Sequence, residues 1–167
     1  MKTIFETERL ILREFTEDDF AFIISLVNSD GWLRYIGDRN IHTEAQAKEY
    51  LRNGPIKSYK ENGYGLSMVV LKAGNIPIGM CGIINRATLE HPDIGFAFLP
   101  GFSNKGYGFE IAAKTLKHAL EELQIPKVVA ITVPENTASI KLLEKIGMSF
   151  QEKLSLNDEE LLLFGTA

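Results

Sequence analysis

Apolar and polar positions alternate through "RLILREF", residues 9–15, with the period of a half-buried strand. Thr16 then stands before Glu17, Asp18 and Asp19, whose carboxylates favour the positive end of a helix. Phe20, Ile23, Ile24 and Val27 follow at helical spacing and predict a first helix ending near Asn28. "NSDGWLRYIGDRN" has loop composition, after which Thr43 and Gln46 form a capping-box pattern that opens a second helix toward Tyr59. "GLSMVVLK" and "IPIGMCGII" are strand-like runs joined by Ala73-Gly74-Asn75, a hairpin turn by length and chemistry. A third run, "DIGFAFL", follows the loop "NRATLEHP" and stops at Pro100-Gly101, so the middle of the chain reads as an antiparallel meander.

From Lys105 the period becomes helical, with Phe109, Ala112, Ala113, Leu116, Leu120 and Leu123 on one apolar face up to the break at Pro126. "KVVAITV" is a short buried-type strand, "NTASIKLLEKIG" a helix closed by Gly147, and "SFQEKL" and "ELLLF" two last strands. The order is β-α-α-β-β-β-α-β-α-β-β. No repeat, low-complexity tract or linker interrupts it, which points to one α/β (α+β) domain over residues 1–167.

Composition narrows the function classes. No tract approaches the length of about 18 apolar residues that spans a bilayer, and Glu6 and Glu8 stand where an export signal would be apolar, so the expectation is a cytoplasmic protein without a membrane partner. A net charge of -4 argues against a nucleic-acid partner. Cys81 is alone beside Met80 and Ile83, the setting of a buried inert thiol rather than a nucleophile. His42, His91 and His118 lie far apart, read as surface or loop residues, and give no support to a metal site.

The chemistry concentrates in "LPGFSNKGYGFEIAAK", where a strand ends, a glycine turn follows and a helix begins. Such a helix N-terminus offers unpaired N–H groups and positive dipole to an anion, although a plain turn with glycines at positive φ has the same letters. The phosphate loop of nucleoside triphosphatases needs Lys-Ser/Thr after its last glycine, but Tyr107 and Gly108 follow Gly106. The dinucleotide fingerprint needs a third glycine where Ile111 stands and an acid after the next strand, which ends in Val133-Pro134.

"Asn-Lys-Gly-Tyr-Gly-Phe-Glu-Ile-Ala", preceded by "Asp-Ile-Gly-Phe-Ala-Phe-Leu-Pro" and followed by "Asn-Thr-Ala-Ser-Ile-Lys-Leu-Leu-Glu-Lys-Ile-Gly-Met", resembles the acyl-CoA signature of the GNAT N-acetyltransferases. "Thr-Glu-Arg-Leu-Ile-Leu-Arg" and "Pro-Ile-Gly-Met-Cys-Gly-Ile" resemble the RimJ/RimL branch, which acetylates N-terminal amines of ribosomal proteins and includes enzymes for other small amines. The resemblance implies a mixed, mostly antiparallel sheet splayed open between the family's fourth and fifth strands, here "DIGFAFL" and "KVVAITV", and flanked by helices. It implies acetyl-CoA as cosubstrate, no metal, and a small-molecule or peptide amine as acceptor, with transfer by direct attack. The chain would act as a monomer or homodimer.

By the same resemblance, Asn104, Lys105, Gly106, Tyr107, Gly108 and Phe109 would hold the pyrophosphate, Phe98 and Leu99 would pair with the pantetheine amides, and Asn136 would bind the cofactor arm. Ser139 would serve as acid, with Asp93 first and Glu160 second as base. Two positions depart from the family pattern: Ser103 replaces Gln or Arg, and Leu143 replaces the tyrosine often used as acid. Those departures motivate an alternative, a catalytically silent acyl-CoA-binding sensor. The acceptor site is expected from residues 30–40, with Trp32 and Tyr35 as an aromatic wall and Asp30, Asp38 or Glu90 to attract an amine, together with residues 85–92 and the last hairpin at residues 157–159.

Overall fold

The computed structural model describes residues 2–167. Eight strands form one sheet in the order β1-β2-β3-β4-β5-β6-β8-β7, with β1 Thr3–Glu6, β2 Leu10–Arg13, β3 Ser67–Leu71, β4 Ile76–Ile84, β5 Asp93–Phe98, β6 Val129–Thr132, β7 Ser149–Leu156 and β8 Glu159–Gly165. All neighbours are antiparallel except β5 and β6, which run parallel and meet at a single register position, Asp93 against Val129. Beyond that position the two strands diverge, which is the expected splay. The hairpin between β3 and β4 turns through Gly74 and Asn75, both at positive φ as that chemistry requires.

The helices cover both faces. On one lie α1 Phe20–Val27, α2 Asp30–Tyr35, α3 Glu44–Leu51 and α4 Lys57–Asn62; on the other lie α5 Tyr107–Glu121 and α6 Thr137–Lys145. The alternation of β3 divides its side chains accordingly: Met68 and Val70 pack with Ile23, Leu26, Trp32 and Leu51, whereas Val69 joins Leu10, Ile78 and Ile111 beneath α5. Around α6, Leu143, Ala112, Ala130 and Phe164 close the third cluster. Thr43 and Gln46 make both capping-box hydrogen bonds at 3.1 Å, as the spacing predicts.

Four elements differ from the sequence expectation. β1 has no counterpart in the sequence pattern because "TIFE" offers too little alternation to register, and it is held as an edge strand by β2. α2 occupies the segment of loop composition; Trp32 is buried in the core there, and Gly37 at positive φ ends the helix. The second helix is interrupted by a wide π turn, Arg52–Ile56, that contains Pro55, because proline supplies no N–H to the helical ladder; the chain resumes as α4 and stops at Gly63. α5 begins at Tyr107, and its buried stripe is Ile111, Ala112, Thr115, Leu116 and Ala119. Phe109 and Leu120, placed on that face by spacing alone, lie at its margin, and Phe109 is 37% exposed. His118 is likewise half-buried, its ring 5.6 Å from that of Phe5, rather than free on the surface.

Two glycines set opposite limits on substitution. A Cβ at Gly82 would collide with the carbonyl of Gly65, a backbone atom that cannot swing aside, whereas one at Gly31 in α2 would meet nothing. Gly82→Ala is expected to lower unfolding stability by about 3 kcal/mol. Gly31→Ala should raise it by about 0.5 kcal/mol by restricting the unfolded chain. Urea titration followed by circular dichroism checks both.

Candidate active site

β5 ends at Phe98, and the chain turns through residues 99–106 before α5 begins. Gly101, Asn104 and Gly106 adopt positive φ, and Gly106 at +82° is the residue from which the helix starts. The first helical hydrogen bond runs from the Glu110 amide to the Gly106 carbonyl, 3.0 Å, so the amides of residues 106–109 precede the helical ladder and have no helical carbonyl to bond. A row of uncommitted donors at the positive end of a four-turn helix is the arrangement that receives a phosphate or pyrophosphate.

The turn is fastened from outside. The Arg9 guanidinium donates through Nε to Glu110 Oε1 at 2.7 Å and through Nη1 to the Lys105 carbonyl at 2.9 Å, and it stacks 4.5 Å from the centre of the Tyr107 ring. The Arg9 amide and the Thr7 hydroxyl donate to Glu110 Oε2 at 2.9 and 2.6 Å. Burial of Glu110 opposes its charge, but the hydrogen bonds from Thr7 and Arg9 prevail and hold its pKa below the usual carboxylate range. Sequence reasoning missed this cluster. Its partners lie 101 residues apart, and the only signal was that Arg9 and Glu110 both sit inside motifs quoted for other reasons.

The splay brings the second half of the cleft alongside. The Leu99 amide donates to Ile78 on β4 at 2.8 Å, so by antiparallel alternation the backbone groups of Phe98 and Phe96 face the widening gap. A Cβ at Gly108 would lie 3.3 Å from Leu142 of α6 and 3.6 Å from the Phe98 ring, which places the start of α5, the end of β5 and α6 around one opening. Across it, Asn136 begins α6 and its side-chain oxygen accepts from the Ser139 amide at 3.2 Å, making Asn136 the helix cap. Leu143 is fully buried in the core.

The three expected proton-transfer residues are not brought together. Asp93 lies at the closed end of the splay, 1% exposed, and accepts from Arg86 Nε at 3.0 Å. Burial raises its pKa, with the charge and hydrogen bond of Arg86 acting in opposition. Ser139 lies at the open end on α6, and Glu160 is exposed on the outer hairpin, 3.5 Å from Lys153, past the point where β6 ends opposite Leu162. On the face covered by α1 to α4 a groove of about 460 Å³ is lined by Arg39, Asn40, Glu49 and Tyr50. Burial raises the Tyr50 pKa, while the charges of Arg39 and Arg86 pull it down, which ties the groove to the loop before β5. Trp32, expected in an aromatic wall, belongs instead to the core, and Tyr35 packs under the Arg34 guanidinium. Cys81 is fully buried, its thiol pushed up to about 12 by burial and donating to Thr115, consistent with an inert cysteine.

Comparison with known proteins decides what this cleft belongs to. The family model of the acetyltransferase (GNAT) domain matches residues 9–149. The chain belongs to the GNAT acetyltransferase family. It is similar to the uncharacterised N-acetyltransferase YnaD of Bacillus subtilis, with 29% identity over 85% of this chain and 80% of that one. A GNAT-family acetyltransferase of Bacillus anthracis superposes with a TM-score of 0.77 at 26% identity, covering 96% of this chain and 95% of the other. RimL, a ribosomal-protein alpha-N-acetyltransferase solved in complex with coenzyme A, shares the fold at a TM-score of 0.80 and 16% identity, covering 98% of this acetyltransferase and 97% of RimL. Among the described residues no helix is long and apolar enough to cross a membrane, and no cluster of side chains is spaced to hold a metal ion.

The Arg86–Asp93 pair provides a pH-dependent test. In Arg86→Met the buried carboxylate loses its counter-charge and its folded pKa rises further. Its contribution to stability is therefore full at acid pH and is lost as pH rises through the folded value. The variant should match the parent near pH 4 and fall about 2 kcal/mol below it near pH 8, less than for a fully buried pair because Arg86 is 39% exposed. Denaturant titrations across that pH range measure the gap.

Proposed function

We propose that this acetyltransferase moves the acetyl group of acetyl-CoA directly to a primary amine, on a protein N-terminus or a small molecule. The observation that carries the reading is the row of unpartnered amides at residues 106–109 beside a sheet edge left open at Phe98. The first suits a pyrophosphate and the second an extended pantetheine arm laid along the strand. Amide donors at the edge would polarise the thioester carbonyl; the amine nitrogen attacks its carbon, the carbon–sulfur bond breaks, and the sulfur leaves as thiolate. Holding both reactants in one cleft supplies much of the rate advantage.

Asp93 is the proposed acceptor of the amine proton, by way of water, since burial already favours its protonated form and Arg86 keeps the charged form accessible. The Ser139 hydroxyl is the proposed donor to the leaving thiolate. Glu160 is set aside because it is exposed and paired with Lys153. The RimJ/RimL character rests on the two motifs around Arg9 and Gly79 and on the shared fold of RimL.

Calorimetry with acetyl-CoA should show one site per chain; no heat at high micromolar ligand would refute the proposal. A thiol-release screen across polyamines, amino acids and N-terminal peptides should identify an acceptor. With that acceptor, Asp93→Asn should lower kcat by about a hundredfold while leaving acetyl-CoA affinity unchanged. Tight binding with no turnover on any amine would favour the silent-sensor reading.

A further inference from the structure

We infer that Arg9 is a positioning residue of the pyrophosphate loop: it sets the direction of the loop amides from outside the cleft and thereby sets affinity for the nucleotide end of the cosubstrate. The inference rests on the acetyl-CoA reading above.

Three hydrogen bonds and one stacking contact converge on this one residue. Nε and the main-chain amide of Arg9 hold the two oxygens of Glu110, which stands one turn into α5. Nη1 holds the carbonyl of Lys105, the last residue before the helix start. The guanidinium plane covers the ring of Tyr107, which in turn lies 6.5 Å from the ring of Phe102. One planar group therefore fixes the loop at Lys105 and the helix at Tyr107 and Glu110, on either side of Gly106.

The location gives this bracing its meaning. Gly106 is the hinge between loop and helix, at φ +82°, and a peptide flanking such a position can rotate unless its carbonyl is held. The bond from Arg9 to the Lys105 carbonyl fixes the Lys105–Gly106 peptide plane, and the Gly106 amide belongs to that same plane. That amide is one of the uncommitted donors. Arg9 thus acts on the anion site through a peptide plane, as well as by adding a positive charge near it. Nη2, at 3.2 Å from where a Cβ of Gly106 would stand, crowds the outer side of the hinge and further restricts it. A lysine at position 9 could keep the ion pair with Glu110 but cannot reach Glu110 and the Lys105 carbonyl at once, since it lacks the planar fork.

Affinities for acetyl-CoA and for acetyl-pantetheine, which lacks the pyrophosphate and the nucleotide, separate this role from a general structural one. In Arg9→Lys, calorimetry should show acetyl-CoA binding weakened about tenfold, the worth of a charge-assisted hydrogen bond, with acetyl-pantetheine affinity within about twofold of the parent. Hydrogen exchange of the amides at residues 104–109 in the unliganded variant should accelerate while that of β3 and β4 does not. Arg9→Ala should show the same selectivity with a larger loss, and Arg9→Lys carries the test if the alanine variant does not fold. Equal weakening for both ligands, or unchanged acetyl-CoA affinity, overturns the inference. If the parent protein itself binds no acetyl-CoA, the functional proposal falls first.

Discussion

Between β5 and β6 the sheet is held by one paired position, and the backbone of β5 beyond it has no strand to bond to. Unpaired main-chain polar groups at a partly buried edge are costly unless water or a ligand meets them, so a gap of this kind is tolerated only where it is used. Everything that makes a site is arranged around it. α5 and α6 both start at the C-terminal ends of the diverging strands, where ligands of α/β sheets characteristically lie. Gly108, lacking a side chain, lets α6 approach to where Leu142 and the Phe98 ring bound the opening without filling it.

The two faces of the sheet carry different duties. Under α5 and α6 the clusters around Ile111 and Leu143 are apolar, and even the thiol of Cys81 is buried in them. The opposite face holds Asp93 and Tyr50, each with its pKa raised by burial and drawn down by the charge of Arg86.

Much of the fold was legible because most elements have a clear period of two or of 3.6. Strands such as "SMVVL" and "DIGFAF" and helices with a capping box announce themselves in one dimension. α2 did not, since Asp30-Gly31 looks like a turn and the buried Trp32 gives one apolar contact per turn rather than a stripe. The face of α5 is ambiguous in the sequence because spacings of three and four fit two overlapping stripes, and only the sheet beneath selects Ile111 over Phe109. The glycine turn could be found from its letters, but its support could not. The bond from Arg9 to Glu110 is a product of the tertiary fold, bringing the turn between β1 and β2 against the start of α5.

Trp32 is the chain's one tryptophan, and its indole lies in the helix layer remote from the glycine turn, with its N–H bonded to no protein group. Its fluorescence is consequently a built-in probe of one layer only. An apolar environment keeps the emission blue while α1, α2 and α3 remain docked, whatever happens around the splay. Paired with an optical signal from the other face, this lone indole can tell whether the two layers come apart in a single step or separately.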